Sequence, residues 1–143
     1  MAWNGVGKLE FINETMNADL YSNILKWILK SSAKKLRLWK SFLFQQDNDQ
    51  KHTAKKTKTF FDENGINVLK WPSQSPDLNP IEHLWTLLDK KIGNWALTKK
   101  EDLKKAVAKS WSNIDNNQIK CLVESMPKRL LDVIKAKGGP TKY

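Results

Sequence analysis

The chain has 143 residues, 40% of them apolar, and a formal net charge of +10, which is enough apolar mass for one core and too much for disorder along its whole length. The surplus of 25 Lys and Arg over 15 Asp and Glu favours polyanionic partners, nucleic acid first, over the plainer reading of a basic soluble domain. Cys121 is the only cysteine, which excludes an internal disulfide and a thiolate zinc cage, and no apolar run approaches the ~20 residues of a membrane helix.

In chain order, residues 3–12 contain two glycines and then Lys8-Leu9-Glu10-Phe11-Ile12, a hairpin remnant feeding a short strand. Leu20, Ile24, Trp27, Ile28 and Ser31 fall at helical spacing and predict a helix over about 18–34, capped by Asn17 or Asp19. The apolar run 41–46 stops at Asp47-Asn48-Asp49, the way a buried strand ends at a site. A helix over about 53–63 follows, closed by Asn64-Gly65 where a left-handed cap is favoured, and residues 66–71 read as another strand. Strand, helix and strand of these lengths form a crossover, so the two strands are expected parallel.

Residues 72–80 hold three prolines and form a stiffened loop. Pro80 suits the first turn of a helix capped by Asn79, over about 80–94, with Ile81, Leu84, Trp85, Leu88, Ile92 and Trp95 as its apolar face. The remainder reads as all-helical. Leu103, Val107, Trp111 and Ile114 stripe one segment, and Ile119, Leu122, Val123 and Met126 the next. Ser125 is placed to cap a last helix carrying Leu130, Leu131, Val133 and Ile134, which ends at Gly138-Gly139-Pro140. Five of the seven tryptophans are expected in packing roles.

Asp47, just past a strand, and Glu82, in the first turn of a helix, are the acids placed to face a crevice beyond the strand ends. Two converging oxygen ligands suit Mg²⁺ or Mn²⁺, and paired ions of that kind serve phosphodiester chemistry. The same acids have a plainer reading, with Asp47 and Asp49 as turn residues and Glu82 as a favourable charge at a helix N-terminus. His52 and His83 lack His or Cys partners at zinc spacing and are expected to orient neighbours or lie on the surface.

Phe44-Gln45-Gln46-Asp47-Asn48-Asp49-Gln50-Lys51-His52-Thr53, followed by Trp71-Pro72-Ser73-Gln74-Ser75-Pro76-Asp77-Leu78-Asn79-Pro80-Ile81-Glu82-His83-Leu84-Trp85, resembles the second and third catalytic blocks of the Tc-type branch of the mariner transposase superfamily. The 34 residues between Asp47 and Glu82 match that branch and select Asp47 over Asp49. Ser125-Met126-Pro127-Lys128-Arg129-Leu130 and the last six residues resemble the family's C-terminus. The resemblance implies an α/β fold of ribonuclease-H type, a small mixed sheet flanked by helices with an all-helical C-terminal third. It divides the chain into a partial catalytic domain over 1–95 and a helical extension over 96–143.

It also implies three carboxylates holding two Mg²⁺ (or Mn²⁺) ions, DNA as partner, cleavage and 3′-hydroxyl strand transfer, and a nuclear location. Assembly as a homodimer or with intact transposase goes with it. In the family the first catalytic Asp precedes the segment resembling Trp3-Asn4-Gly5, so the expectation is a truncated fold with two of the three acids and no cleavage by this chain alone. Glu10 and Asp19 have no motif support as replacements. The alternative is a domesticated, non-catalytic DNA-binding module or a regulator of intact transposase.

Overall fold

Two short strands joined by helices carry the first half of the chain's sequence logic. A computed structural model describes residues 1–38, 42–93 and 98–143. Ser41, Trp95 and the expected boundary between 95 and 96 lie outside the described residues. β1 (Leu43–Phe44) pairs in parallel with β2 (Asn67–Val68), Leu43 against Asn67 and Phe44 against Val68, as the crossover reading requires. The strand expected over 41–46 is shorter than its apolar run and not buried on both sides, because side chains alternate along a strand. Phe44 packs towards Phe60 and Phe61, while Leu43 is 57% exposed.

The chain divides into two compact units, residues 10–74 and residues 1–9 with 75–143. In the unit 10–74, the helical run expected over 18–34 is three pieces: α1 (Ala18–Ile24), a π-helical segment (Leu25–Leu29) and α2 (Lys30–Lys35). Asn17 Oδ1 accepts from the Leu20 N–H and caps it. The π segment widens one turn and shifts the faces. Leu25 therefore meets Phe60 and Phe61 in the core, and Trp27, expected on the apolar stripe, is 76% exposed.

The helix expected over 53–63 is also two pieces, α3 (Gln50–Thr53) and α4 (Lys55–Glu63), parted at Ala54, whose ψ of 147° is extended. The fully buried Thr57 hydroxyl donates to the Lys51 carbonyl at 2.8 Å and satisfies a group the break frees. Gly65 at φ +61° closes α4, and the Ile66 N–H reaches back to the Phe61 carbonyl at 2.9 Å.

In the other unit, a 3₁₀ turn (Pro76–Leu78) leads into α5 (Pro80–Ile92), which packs on α6 (Lys100–Ser112) and α7 (Asn116–Glu124), and α7 on α8 (Met126–Lys135). The core is Val6, Leu84, Leu88, Trp111 and Ile119, with Met1, Leu9 and Ile81 packed against it. Trp111 donates its indole N–H to the Gly7 carbonyl at 3.0 Å, buried. Residues 8–12, expected as a strand, run without regular structure, and Ala2 and Gly5 form an isolated antiparallel bridge.

Of the stripe expected along this segment, Trp111 is buried and Ile114 packs against the core, whereas Leu103 is 45% exposed and Ala106 and Ser110 are the other buried residues of α6. The expected stripe of α8 is likewise displaced. Leu130, Leu131 and Ile134 are exposed, and Arg129 is the buried residue. Ser125 does not cap α8, since it is itself helical and its hydroxyl donates to the Leu122 carbonyl at 2.6 Å. Among the described tryptophans only Trp111 is buried.

Candidate functional site

In the unit 10–74, the chain leaving β1 is held by Gln46. Its amide accepts from the Tyr21 hydroxyl at 2.9 Å and donates to the His52 carbonyl at 3.0 Å, joining α1 to α3. Asp47 follows, its side chain 61% exposed. Its Oδ1 accepts from the Asp49 N–H at 3.1 Å and from His52 Nδ1, so the His52 proton belongs on Nδ1. His52 Nε2 is buried without a hydrogen-bond partner among the described residues. The imidazole lies against the Tyr21 ring, centroids 4.1 Å apart. Burial first, and then the Asp47 charge, push the Tyr21 hydroxyl well above its ordinary range, so it stays a donor.

Asp49 does different work two residues on. It caps α3 by accepting from the Lys51 N–H at 3.0 Å and pairs with the Lys51 ammonium. The hydrogen bond from the Lys51 side chain, then that from its backbone, hold the Asp49 carboxyl below the usual carboxylate range. Asp47 Oδ2 has no such partner among the described residues. Asn48 Nδ2 donates to the Trp71 carbonyl at 2.7 Å and ties this turn to the segment after β2.

In the unit formed by 1–9 and 75–143, Asn79 caps α5 through Oδ1, which accepts from the Ile81 N–H at 3.4 Å. Its Nδ2 donates to Glu82 Oε1 at 3.3 Å. Glu82 stands exposed in the first turn of α5, where the helix dipole favours a carboxylate. The loop before it is pinned by Arg129, only 1% exposed. That guanidinium donates to the Asp77 carbonyl at 2.7 Å, to the Ser125 hydroxyl at 2.8 Å and to His83 Nδ1 at 2.5 Å, and lies 4.5 Å from the Tyr143 ring centroid.

Because Arg129 offers only donors, His83 Nδ1 must be the acceptor and its proton sits on Nε2. Burial, then the Arg129 charge, lower the His83 pKa from its ordinary value. The Thr141 hydroxyl donates to Asp77 Oδ2 at 3.0 Å, a second tie from the C-terminal segment to the same loop.

The two acids singled out in the sequence thus belong one to each unit, each an exposed carboxylate of the oxygen-donor kind that Mg²⁺ and Mn²⁺ take. Among the described residues no three His, Cys, Asp or Glu side chains form a metal-holding cluster. The sequence reading did not assign His52 to Asp47 or Arg129 to the loop. His52 stands within the first quoted motif, and Arg129 was legible only as a basic residue between the apolar positions of an amphipathic helix.

Residues 4–104 match a family described as DDE superfamily endonuclease. The chain belongs to that family. The resemblance to the Tc-type branch is borne out by relatives in it. The chain is 40% identical over 138 residues to the Tcb1 transposase of Caenorhabditis briggsae, matching 96% of itself and 50% of that protein. Against the Tc3 transposase of Caenorhabditis elegans it is 39% identical over 140 residues, 95% of itself and 42% of the relative. The chain spans about half the length of the curated relatives it matches.

In three dimensions this DDE-family chain is similar to the Mos1 transposase catalytic domain solved with raltegravir and Mn, with a TM-score of 0.90 at 21% identity over 99% of this chain and 74% of that one. The fold is therefore α/β of ribonuclease-H type, as the resemblance implied. The part described here is a two-stranded sheet amid helices, with the region after residue 98 all-helical up to Lys135.

Proposed function

We propose that this chain is catalytic-domain sequence of a cut-and-paste DNA transposase, in which Asp47 and Glu82 supply carboxylate ligands for Mg²⁺ or Mn²⁺. The observation that carries the reading is the pair of acidic motifs, 34 residues apart, in a chain 40% identical to the Tcb1 transposase. The Mos1 structures with Mn, with Mg and in a strand transfer complex support divalent ions and DNA as its partners. A nuclear location, and assembly as a homodimer or with intact transposase, go with the same reading.

The chain's own residues have definable parts in it. His52 Nδ1–H fixes one oxygen of Asp47 and leaves the other to a cation, as a partner behind a metal ligand does. Asn79 turns the Glu82 carboxylate through its amide. Arg129 holds the backbone leading into Glu82. Paired divalent ions, when bound, stabilise the attacking and leaving oxygens of a phosphodiester.

Mg²⁺ keeps several waters and is commonly held by one or two carboxylates, but the paired ions that the family resemblance implies take three, of which Asp47 and Glu82 match two. Incubated with transposon-end DNA and Mg²⁺, the 143-residue chain is expected to show no cleavage. Its Mn²⁺ affinity is expected to fall at least about tenfold in Asp47→Ala or Glu82→Ala. Cleavage by the wild-type chain that either substitution abolishes would overturn the inactivity; Mn²⁺ affinity unchanged in both variants would overturn the site. The net charge of +10 favours a second reading, DNA binding without chemistry, whose mark is affinity falling steeply with salt.

A further inference from the structure

The helical run 18–35 turns one side to solvent, and that side has a definite chemistry. Asn23, Lys26, Trp27, Lys30 and Lys34 are all exposed along it. Trp27, at 76%, is the most exposed large hydrophobic side chain among the described residues. From Leu20 to Gln46 the sequence contains no Asp or Glu, so the face is basic without internal relief. Lys26 and Lys30 make no ion pair among the described residues; Asp19, at the far end of the run, pairs with Lys56.

The exposure of Trp27 is built by the backbone. The π segment Leu25–Leu29 sends Leu25 to the Phe60 and Phe61 core and the indole the other way. The Ser31 hydroxyl reaches both the Trp27 and the Ile28 carbonyls at 3.0 Å, supporting the groups that the wider turn displaces. Single π turns inside α-helices recur at functional positions, where they re-aim a side chain.

We infer that this face binds single-stranded nucleic acid, with Lys26 and Lys30 tracking phosphates and the Trp27 indole stacked on an unpaired base. The inference rests on the nucleic-acid reading proposed above and deepens it, naming the surface and the form of the strand. An aromatic ring on a basic ridge gains most from a base whose face is open, and every unpaired base has such a face. In a duplex those faces are covered by neighbouring pairs, and only the phosphates remain for the lysines. An anionic lipid surface fits less well. A helix lying in a membrane interface sinks a broad apolar face, whereas here Leu25, Leu29 and Tyr21 are turned to the Phe60 and Phe61 core and leave one indole among lysines.

The test compares the full chain and its variants on a thymidine oligonucleotide and on a mixed-sequence duplex of equal length, by fluorescence anisotropy at one salt concentration. The wild type is expected to prefer the single strand. Trp27→Ala should weaken single-strand binding about tenfold and leave duplex binding unchanged. Trp27→Phe keeps a ring and should retain most of the affinity, while Trp27→Leu, apolar but without a π face, should behave as Ala. Because the side chain is exposed, circular dichroism and melting should be the same in all four proteins. Lys26→Ala with Lys30→Ala should weaken both ligands and flatten the salt dependence.

Duplex and single-strand binding that both persist unchanged in Trp27→Ala overturn this inference and leave the nucleic-acid reading standing. Failure to bind either DNA overturns both. Binding to phosphatidylserine vesicles that falls in Trp27→Ala but survives in Trp27→Leu, with single-strand affinity unmoved, replaces the strand with a lipid surface and overturns it as well.

Discussion

The loop and cap before Glu82 and the helical run before β1 are held in different ways. Residues 75–83 are fixed by hydrogen bonds on top of the burial of Leu78 and Pro80. Arg129 and Thr141 grip Asp77 from a distant part of the sequence, and Asn79 satisfies the first turn of α5. The run 18–35 is fixed by burial on one side, through Leu25 against Phe60 and Phe61, and leaves its other side to water. A segment held by directional bonds keeps a carboxylate in one place, which suits a ligand. A segment held only from behind keeps a free face, which suits a partner.

That contrast can be broken most forcefully at Arg129. Arg129→Ala leaves the Asp77 carbonyl, the Ser125 hydroxyl and His83 Nδ1 without their donor and empties the space beneath Tyr143. A loss of about 3 kcal/mol is expected in urea unfolding, from the lost packing of the buried side chain and from three partly buried acceptors, each costing up to ~1–3 kcal/mol when orphaned. Arg129→Lys should recover little, because an ammonium cannot span the same three acceptors. Stability unchanged in Arg129→Ala would mean that the loop is not held this way.

The smallest effect is expected at Trp27, where it sharpens the comparison. If the indole were part of the core, as the apolar spacing suggested, Trp27→Ala would cost ~3–5 kcal/mol. At 76% exposure the change should stay within about 0.5 kcal/mol of wild type in the same urea titration. A large loss would put the ring back in the interior.

The same two regions show what the sequence made legible. Residues 72–83 announce themselves, because Pro80, Asn79 and the prolines at 72 and 76 act locally on their own backbone and need no partner to be read. Asn64-Gly65 was readable for the same reason, and the parallel pairing of β1 with β2 followed from the length of the crossover. The run 18–35 misleads, because spacing reports faces only if every turn has the same width, and no residue type marks a π segment.

The break at Ala54 was hidden in the same sense, since alanine is the best helix former and the Thr57 hydroxyl that supports the break becomes visible only in three dimensions. At the candidate site the places of Asp47 just past β1 and of Glu82 in the first turn of α5 were legible in the sequence. Their supports were not, because the contact of His52 with Asp47 and the reach of Arg129 across 52 residues to Asp77 are products of folding.

The central proposal is that Asp47 and Glu82 are both ligands of a divalent cation. Paramagnetic broadening during a Mn²⁺ titration of isotopically labelled chain tests it directly. The signals of residues 46–49 and of residues 80–84 should both broaden, and the second response should vanish in Glu82→Ala. Broadening of only one of the two segments would contradict it.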